Sequence, residues 1–275
     1  MSYAVCMIGN SHVAALKMAW DNRRPEIADG VSIAFFSAQT NFLERLEREG
    51  TVLVPGTEAA REKLAFTSGT ADGRIDIARY DAVAMVASSF GINLPRLYAG
   101  FPTWERQRFV PDAGIVSAAC LEAYVAQDIE ESIAVRLVDK IRAIAPLPVL
   151  LVSAPYVSAR ALDEPQWKDE ACLRDHDFLA RYTARCRAAA ERVAARHDCE
   201  VVWQDDVTAG PPGFTSLEFG RNPVRFNMHD LRMPEFDMRH GNEDYGALMQ
   251  AKILARLDAV SGGRVLASPA RKLSA

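Results

Sequence analysis

The sequence predicts an α/β protein, a three-layer α/β/α sandwich built on a parallel sheet of about five strands. Short apolar, β-branched runs recur at "YAVCMI", "VSIAFF", "AVAMVA", "PVLLVSAP" and "CEVVWQ". Amphipathic stretches separate them, and strands that alternate with helices build a parallel sheet covered on both faces. The strand number and chain length fit a flavodoxin-like arrangement.

The first run ends at Gly9, and Val13, Leu16 and Trp20 follow at helical spacing, giving strand, turn and helix. "VSIAFF" is the second strand, and "NFLERLEREG" after it reads as an amphipathic helix stopped by Gly50. Between Thr51 and Tyr80, "PGTEAAREKL" opens a helix and "SGTADGRIDI" reads as turns plus a short extended piece. Ala82 to Ala87 forms the third strand. Leu94 to Val116 is an irregular excursion, longer than most connections and therefore expected to be a functional loop.

"SAACLEAYVAQDIEESIAVRLVDKIRAIAP" reads as one long amphipathic helical stretch ended by Pro146. The fourth strand, a loop, the helix "HDFLARYTARCRAAAERVAARHD" and the fifth strand follow. A polar segment then runs to Pro234, and a last helix starts near Glu243. Residues 1–261 are expected to form a single domain, with 262–275 as a flexible tail.

Composition narrows the function classes. The net charge of -4 offers no surplus of clustered Lys and Arg for phosphate neutralisation, so nucleic acid is not an expected partner. No apolar run approaches the roughly 18 residues of a spanning helix. The N-terminus lacks the basic and long apolar regions of a secretory signal, and a cytoplasmic location is expected. Five cysteines, an odd number without CxxC spacing, suggest packing thiols rather than disulfides or a zinc site. Cys6 lies mid-strand among apolar neighbours, where burial blunts a thiol.

In open α/β sheets ligands bind beyond the carboxyl ends of the strands. Ser11 follows the first strand, Gly91 and Asn93 follow the third, and Asp237 and His240 precede the last helix. A serine hydroxyl needs a base, and the base needs a third group to hold its tautomer. Ser11, His240 and Asp237 supply those three chemistries, the acid and imidazole three residues apart in "DMRH". The Ser11 N–H at a strand-to-helix turn and the Asn93 side chain, beside Gly91, are candidate oxyanion donors. Read alone, Ser11 also suits a helix cap, Asn93 a turn, and the Asp237–His240 pair a capping or surface contact.

Together, "GNS" at Gly9 to Ser11, "GIN" at Gly91 to Asn93 and "DMRH" at Asp237 to His240 resemble the SGNH hydrolases, or GDSL family, in order and strand-end placement. The resemblance spans Met7 to Leu257, with "HGN..YG" entering the last helix as in many members. Asn10 stands where the family has aspartate, His12 where it has leucine, and Leu94 where it has a second aspartate. The family's glycine after the second strand is absent, leaving Ser37 or Ala38 to offer a backbone donor there.

The resemblance implies a serine hydrolase that cleaves a carboxylic ester, such as an O-acetyl or other short acyl ester of a small molecule or carbohydrate, through an acyl-serine intermediate. Ser11, Asp237 and His240 are then catalytic, with Asn93, Gly91, Ala38, Asn10 and His12 in the oxyanion or binding region. Transfer of the acyl group to a sugar or other alcohol is the first alternative. A non-catalytic carbohydrate-binding or scaffold protein is the second.

No cofactor or metal is expected. GxSxG, GxxxxGK[ST] and GxGxxG are absent after the strands, and the spacing of His229, Asp230, Asp237 and His240 matches no metal motif. Trp104, Arg106, Arg108 and Phe109 read as a solvated loop with an anchoring ring, the alternative being a lid or wall. Arg221, Arg225, Arg232 and Arg239 read as partners of nearby acids, the alternative being a grip on a carboxylate or phosphate.

Overall fold

The computed structural model describes residues 2–27, 30–92, 115–165, 171–226 and 235–265. Its centre is a five-stranded sheet of β1 (Tyr3–Gly9), β2 (Val31–Ser37), β6 (Ala82–Val86), β7 (Val149–Val152) and β8 (Glu200–Val202). The strands lie in the order β2-β1-β6-β7-β8, and every pairing is parallel. This is the flavodoxin-like order, which places a switch point between β1 and β6. The expected α/β/α sandwich is the architecture the chain adopts.

Burial on both faces explains why the strands read as continuous apolar runs rather than alternating ones. Cys6, Ile8, Val83, Met85 and Leu151 face one cluster, with α4 (Ala118–Glu130), α5 (Ile133–Arg142) and α6 (His176–Arg196) supplying Leu121, Leu137 and Phe178. Val5, Met7, Ala84 and Val152 face the other, against α1 (Val13–Ile27) and α7 (Glu243–Val260).

The helix expected across Asn41–Gly50 is corrected. Only α2 (Thr40–Leu43) is helical, and β3 (Leu46–Glu49) turns at Gly50 and Thr51 into β4 (Val52–Pro55). Gly50 takes the left-handed φ of 62° that a two-residue hairpin demands. With β5 (Ile75–Asp76), which follows α3 (Glu58–Ser68), these strands make a small antiparallel sheet. Leu46 and Leu53 are buried by that pairing, which outweighs the helical propensity of Leu, Glu and Arg.

The single long helix is also corrected, to two. It breaks at Glu131 and Ser132, where Ser132 Oγ accepts from Val135 N–H at 3.3 Å and caps α5. The break turns the N-terminus of α5 towards the loop after β6, so that Ala134 N–H donates to the Ser88 carbonyl at 3.1 Å.

At the other end, 266–275 lie outside the described residues, as do 93–114. The latter contain Asn93, Trp104, Arg106, Arg108, Phe109 and nearly all of the Leu94–Val116 loop. The described start of the tail is anchored: Val265 is buried, and its N–H donates to Asp258 Oδ1 at 2.9 Å.

Candidate active site

Parallel register sets Gly9, Ser37, Val86, Val152 and Val202 along one edge of the sheet, so the loops that follow them share one rim. At the start of that rim Gly9 is required by close approach. A Cβ there would lie 2.3 Å from the Val86 carbonyl oxygen and 2.7 Å from the Val13 side chain. The chain can therefore turn sharply between β1 and α1.

Hydrogen bonds then fix the turn. Asn10 Oδ1 accepts from His12 N–H at 3.3 Å, and the Asn10 carbonyl accepts from Val13 N–H at 3.1 Å and from Ser37 Oγ at 2.8 Å. Asn10 thus shapes the turn rather than facing a ligand with its amide oxygen. Among the described residues no acceptor takes the Ser11 N–H.

Across the rim, Ser11 Oγ stands 2.7 Å from Nε2 of His240, a residue 229 positions away in sequence. Nδ1 of His240 is 3.1 Å from Asp237 Oδ2. Asp237 Oδ1 accepts from the backbone N–H groups of Arg239 at 2.6 Å and His240 at 3.1 Å, so the acid orients its own loop as well as the ring.

That loop is tied down from outside. Asp237 N–H donates to Gly220 O at 3.2 Å, Ser158 N–H to Met238 O at 2.8 Å, and Val224 N–H to Gly241 O at 3.1 Å. Asn242 caps α7 by accepting from Tyr245 N–H at 3.0 Å.

Burial is the largest influence on His240 and pushes its pKa below the ordinary imidazole value. Arg225 and Arg239 push the same way, against the opposing pull of Asp237. Asp237 is half-buried, which favours its neutral acid, yet the Arg239 N–H, His240 and Arg225 outweigh this and hold its pKa below the usual carboxylate value. The resting state is a neutral imidazole beside a carboxylate.

His12 lies against His240, ring centroids 4.8 Å apart and planes 24° apart. Its Nδ1 is buried and has no hydrogen-bond partner among the described residues. Burial, then the charge of His240, brings its pKa down to about 3, so His12 stays neutral.

Other expected residues divide. Ala38 is removed from the oxyanion donors, because its N–H already donates to the Gly9 carbonyl at 3.1 Å. Gly91 lies against Ala154 and, with Asn10, His12, Tyr124 and Arg239, borders a cavity of about 500 Å³. Ser11 faces a second cavity of about 240 Å³, with Ser37, Gln39, Lys63 and Phe226.

Of the arginines, Arg221 pairs with Glu235 at 3.0 Å. Arg225 instead reaches the site: its Nη2 meets Asp237 Oδ2 and lies 2.9 Å from His240 Nδ1, with Nε at 3.2 Å. Nothing in the spacing of Arg225 distinguishes it from its neighbours. Arg232, His229 and Asp230 lie outside the described residues, among which no group of three or more His, Cys, Asp or Glu is gathered to hold a metal. Cys6 is buried, and burial pushes its thiol pKa well up.

Between β6 and this cavity Ala87, Ser88 and Ser89 all take left-handed φ, at 55°, 53° and 70°. Non-glycine residues in that region carry strain, and three in a row mark the switch point of the sheet. The sequence holds no glycine in this run to signal it.

Fold and site together define an α/β sandwich with a hydroxyl, an imidazole and a carboxylate in line at the carboxyl edge of its sheet. No family model matches the chain, and no curated protein matches it. Among solved structures it is similar to a lipopolysaccharide acetyltransferase periplasmic domain from Salmonella ser. Paratyphi A. Identity there is 10%, over 94% of this chain and 84% of that one, with a TM-score of 0.40.

It is also similar to a peptidoglycan O-acetyltransferase C-terminal catalytic domain from Streptococcus pneumoniae, at 12% identity over 95% and 96% of the two chains with a TM-score of 0.36. A salicylyl-acyltransferase from a tetracycline biosynthetic pathway shares 13% identity over 97% of this chain, which spans 56% of that one, with a TM-score of 0.34. No helix among the described residues is long and apolar enough to cross a membrane.

Proposed function

We propose that this chain is a serine esterase of the SGNH type, cleaving a carboxylic ester of a small molecule or carbohydrate through an acyl-serine intermediate. The observation that carries this is the 2.7 Å approach of Ser11 Oγ to His240 Nε2, between opposite ends of the sequence. A neutral imidazole at that distance, with its ring proton on Nδ1, is positioned to accept the hydroxyl proton.

Ser11 Oγ bonds to the ester carbonyl carbon while its proton passes to Nε2 and the carbonyl electrons move onto oxygen. Asp237 steadies the imidazolium through Nδ1–H. The Ser11 N–H and, as the resemblance implies, the Asn93 side chain hold the oxyanion. When the intermediate collapses, Nε2 returns the proton to the departing alcohol. Water then repeats the sequence on the acyl-serine, releasing the acid and restoring the hydroxyl.

Labelling with a serine-directed fluorophosphonate, followed by peptide mass mapping, tests the reading. The adduct is expected on Ser11, absent in Ser11→Ala and strongly reduced in His240→Ala. A folded protein that takes no adduct on Ser11 contradicts it and favours a binding module. Comparing acyl release with acyl transfer in the presence of sugar acceptors separates hydrolysis from transfer.

A further inference from the structure

A guanidinium carries five N–H donors and no acceptor. Arg225 places two of its nitrogens within 3.2 Å and 2.9 Å of His240 Nδ1, the same atom that stands 3.1 Å from Asp237 Oδ2. Nδ1 can donate to the carboxylate or accept from the arginine, but one lone pair or one proton cannot do both. When it accepts from Arg225, the ring proton sits on Nε2 and points at Ser11 Oγ. In that tautomer His240 cannot act as a base towards the hydroxyl.

The charges agree with the hydrogen bonds. The charged groups that reach both imidazoles are Asp237, Arg225 and Arg239, with His12 and His240 themselves. Among the described residues, one carboxylate and two guanidiniums leave a single positive charge around neutral rings. During attack the Ser11 proton puts a second positive charge on His240 while the matching negative charge forms on the carbonyl oxygen.

Arg239 is open to a ligand, whereas an anion reaching Arg225 must compete with Asp237 for its guanidinium. Arg239 makes no ion pair with an acid among the described residues and borders the 500 Å³ cavity beside Asn10 and His12. The Arg225 side chain is 38% exposed. The acids on that cavity's wall, Asp128 and Glu131, belong to the end of α4 and the turn after it. An anion is therefore expected at the arginine side.

Resting on the serine-esterase reading, we propose that the substrate is an ester carrying a carboxylate or phosphate group near the scissile bond, clamped by Arg225 and Arg239. The anion takes over the Arg225 contacts with both Nδ1 and Asp237 Oδ2, frees Nδ1 to donate to that carboxylate, and cancels the surplus positive charge. Substrate binding thereby moves the ring proton from Nε2 to Nδ1 and completes the base.

The test compares nitrophenyl esters of matched length: the butyrate (neutral), the hemisuccinate (carboxylate) and the 3-phosphonopropionate (a phosphate stand-in). Charge-assisted bidentate contacts predict a kcat/KM advantage of about 10- to 100-fold for an anionic ester. Whichever anion is favoured identifies the source of the charge. Arg225→Gln is expected to slow the anionic esters and speed the butyrate, and Arg239→Gln to slow the anionic esters more than the butyrate.

Histidine ¹⁵N shifts read the tautomer directly. Adding succinate or inorganic phosphate moves the His240 proton to Nδ1 in the native protein and leaves it unmoved in Arg225→Gln. Equal kcat/KM for all three esters, with Ser11 still labelled by fluorophosphonate, overturns this inference and leaves the esterase reading standing. Failure of Ser11 to label and of every ester to turn over overturns both.

Discussion

His12 lies flat against His240, its ring 4.8 Å from the imidazole that meets Ser11. With a pKa of about 3 it takes no proton at working pH, and we assign it the part of a rigid plate. His12→Ala should lower kcat about 10- to 100-fold, the scale of a loosened catalytic group. His12→Phe, which restores a ring face, should recover most of that loss. Steady-state kinetics with circular dichroism as a folding control decide it, and equal kcat in all three proteins contradicts the role.

The lowered pKa of His240 sets the pH profile. Its burial, with Arg225 and Arg239, favours the neutral base, so kcat/KM should rise with pH along a limb below 6.5 and be level at neutral pH. Activity is present above that pKa and lost as pH falls through it. Asp237→Asn removes the carboxylate that holds the ring and should cut kcat by about 10³- to 10⁴-fold. A profile still rising through pH 8 in the native protein contradicts this account.

A second histidine couples stability to pH far from the site. His197, at the end of α6, bonds Glu130 Oε1 at 2.8 Å through Nε2 and Asp139 Oδ1 at 2.9 Å through Nδ1. Burial disfavours its charge, but the two carboxylates outweigh that and raise its pKa, while His197 in turn lowers the pKa of Glu130. The raised histidine contributes stability that is fully present below about 6.5 and lost as pH rises through its folded value. Urea midpoints should therefore fall from pH 6 to pH 9 in the native protein and fall less in His197→Gln. Parallel declines contradict the coupling.

The left-handed run after β6 stores strain that glycine would release. Ser89 at φ 70° faces the cavity, and Ser89→Gly should raise stability by about 1 kcal/mol, since a left-handed non-glycine residue costs about that much. Urea denaturation measures it, and a lowered midpoint with an unchanged slope contradicts the assignment of strain.

The legible parts of this protein were those with one physical explanation. β1 and β6 are buried on both faces, so Val5 to Ile8 and Ala82 to Val86 had to be apolar, and their carboxyl ends located Ser11 and Gly91. Asp237 and His240 were legible because a three-residue spacing lets a turn aim both side chains one way. Leu46 to Glu49 was misread because Leu, Glu and Arg favour a helix locally, while the partners that make it a strand, Val52 to Pro55, act through the hairpin. His12 and Arg225 were named from the sequence, but their contacts with His240 were not legible, since these arise from tertiary folding and leave no spacing in the chain.

Mixing the protein with excess nitrophenyl ester and measuring both the nitrophenolate burst and the intact mass reaches the central chemistry most directly. The account predicts a burst of about one equivalent and an acyl group mapped to Ser11, both absent in Ser11→Ala. Undiminished turnover in Ser11→Ala, or an acyl group carried on another residue, contradicts it.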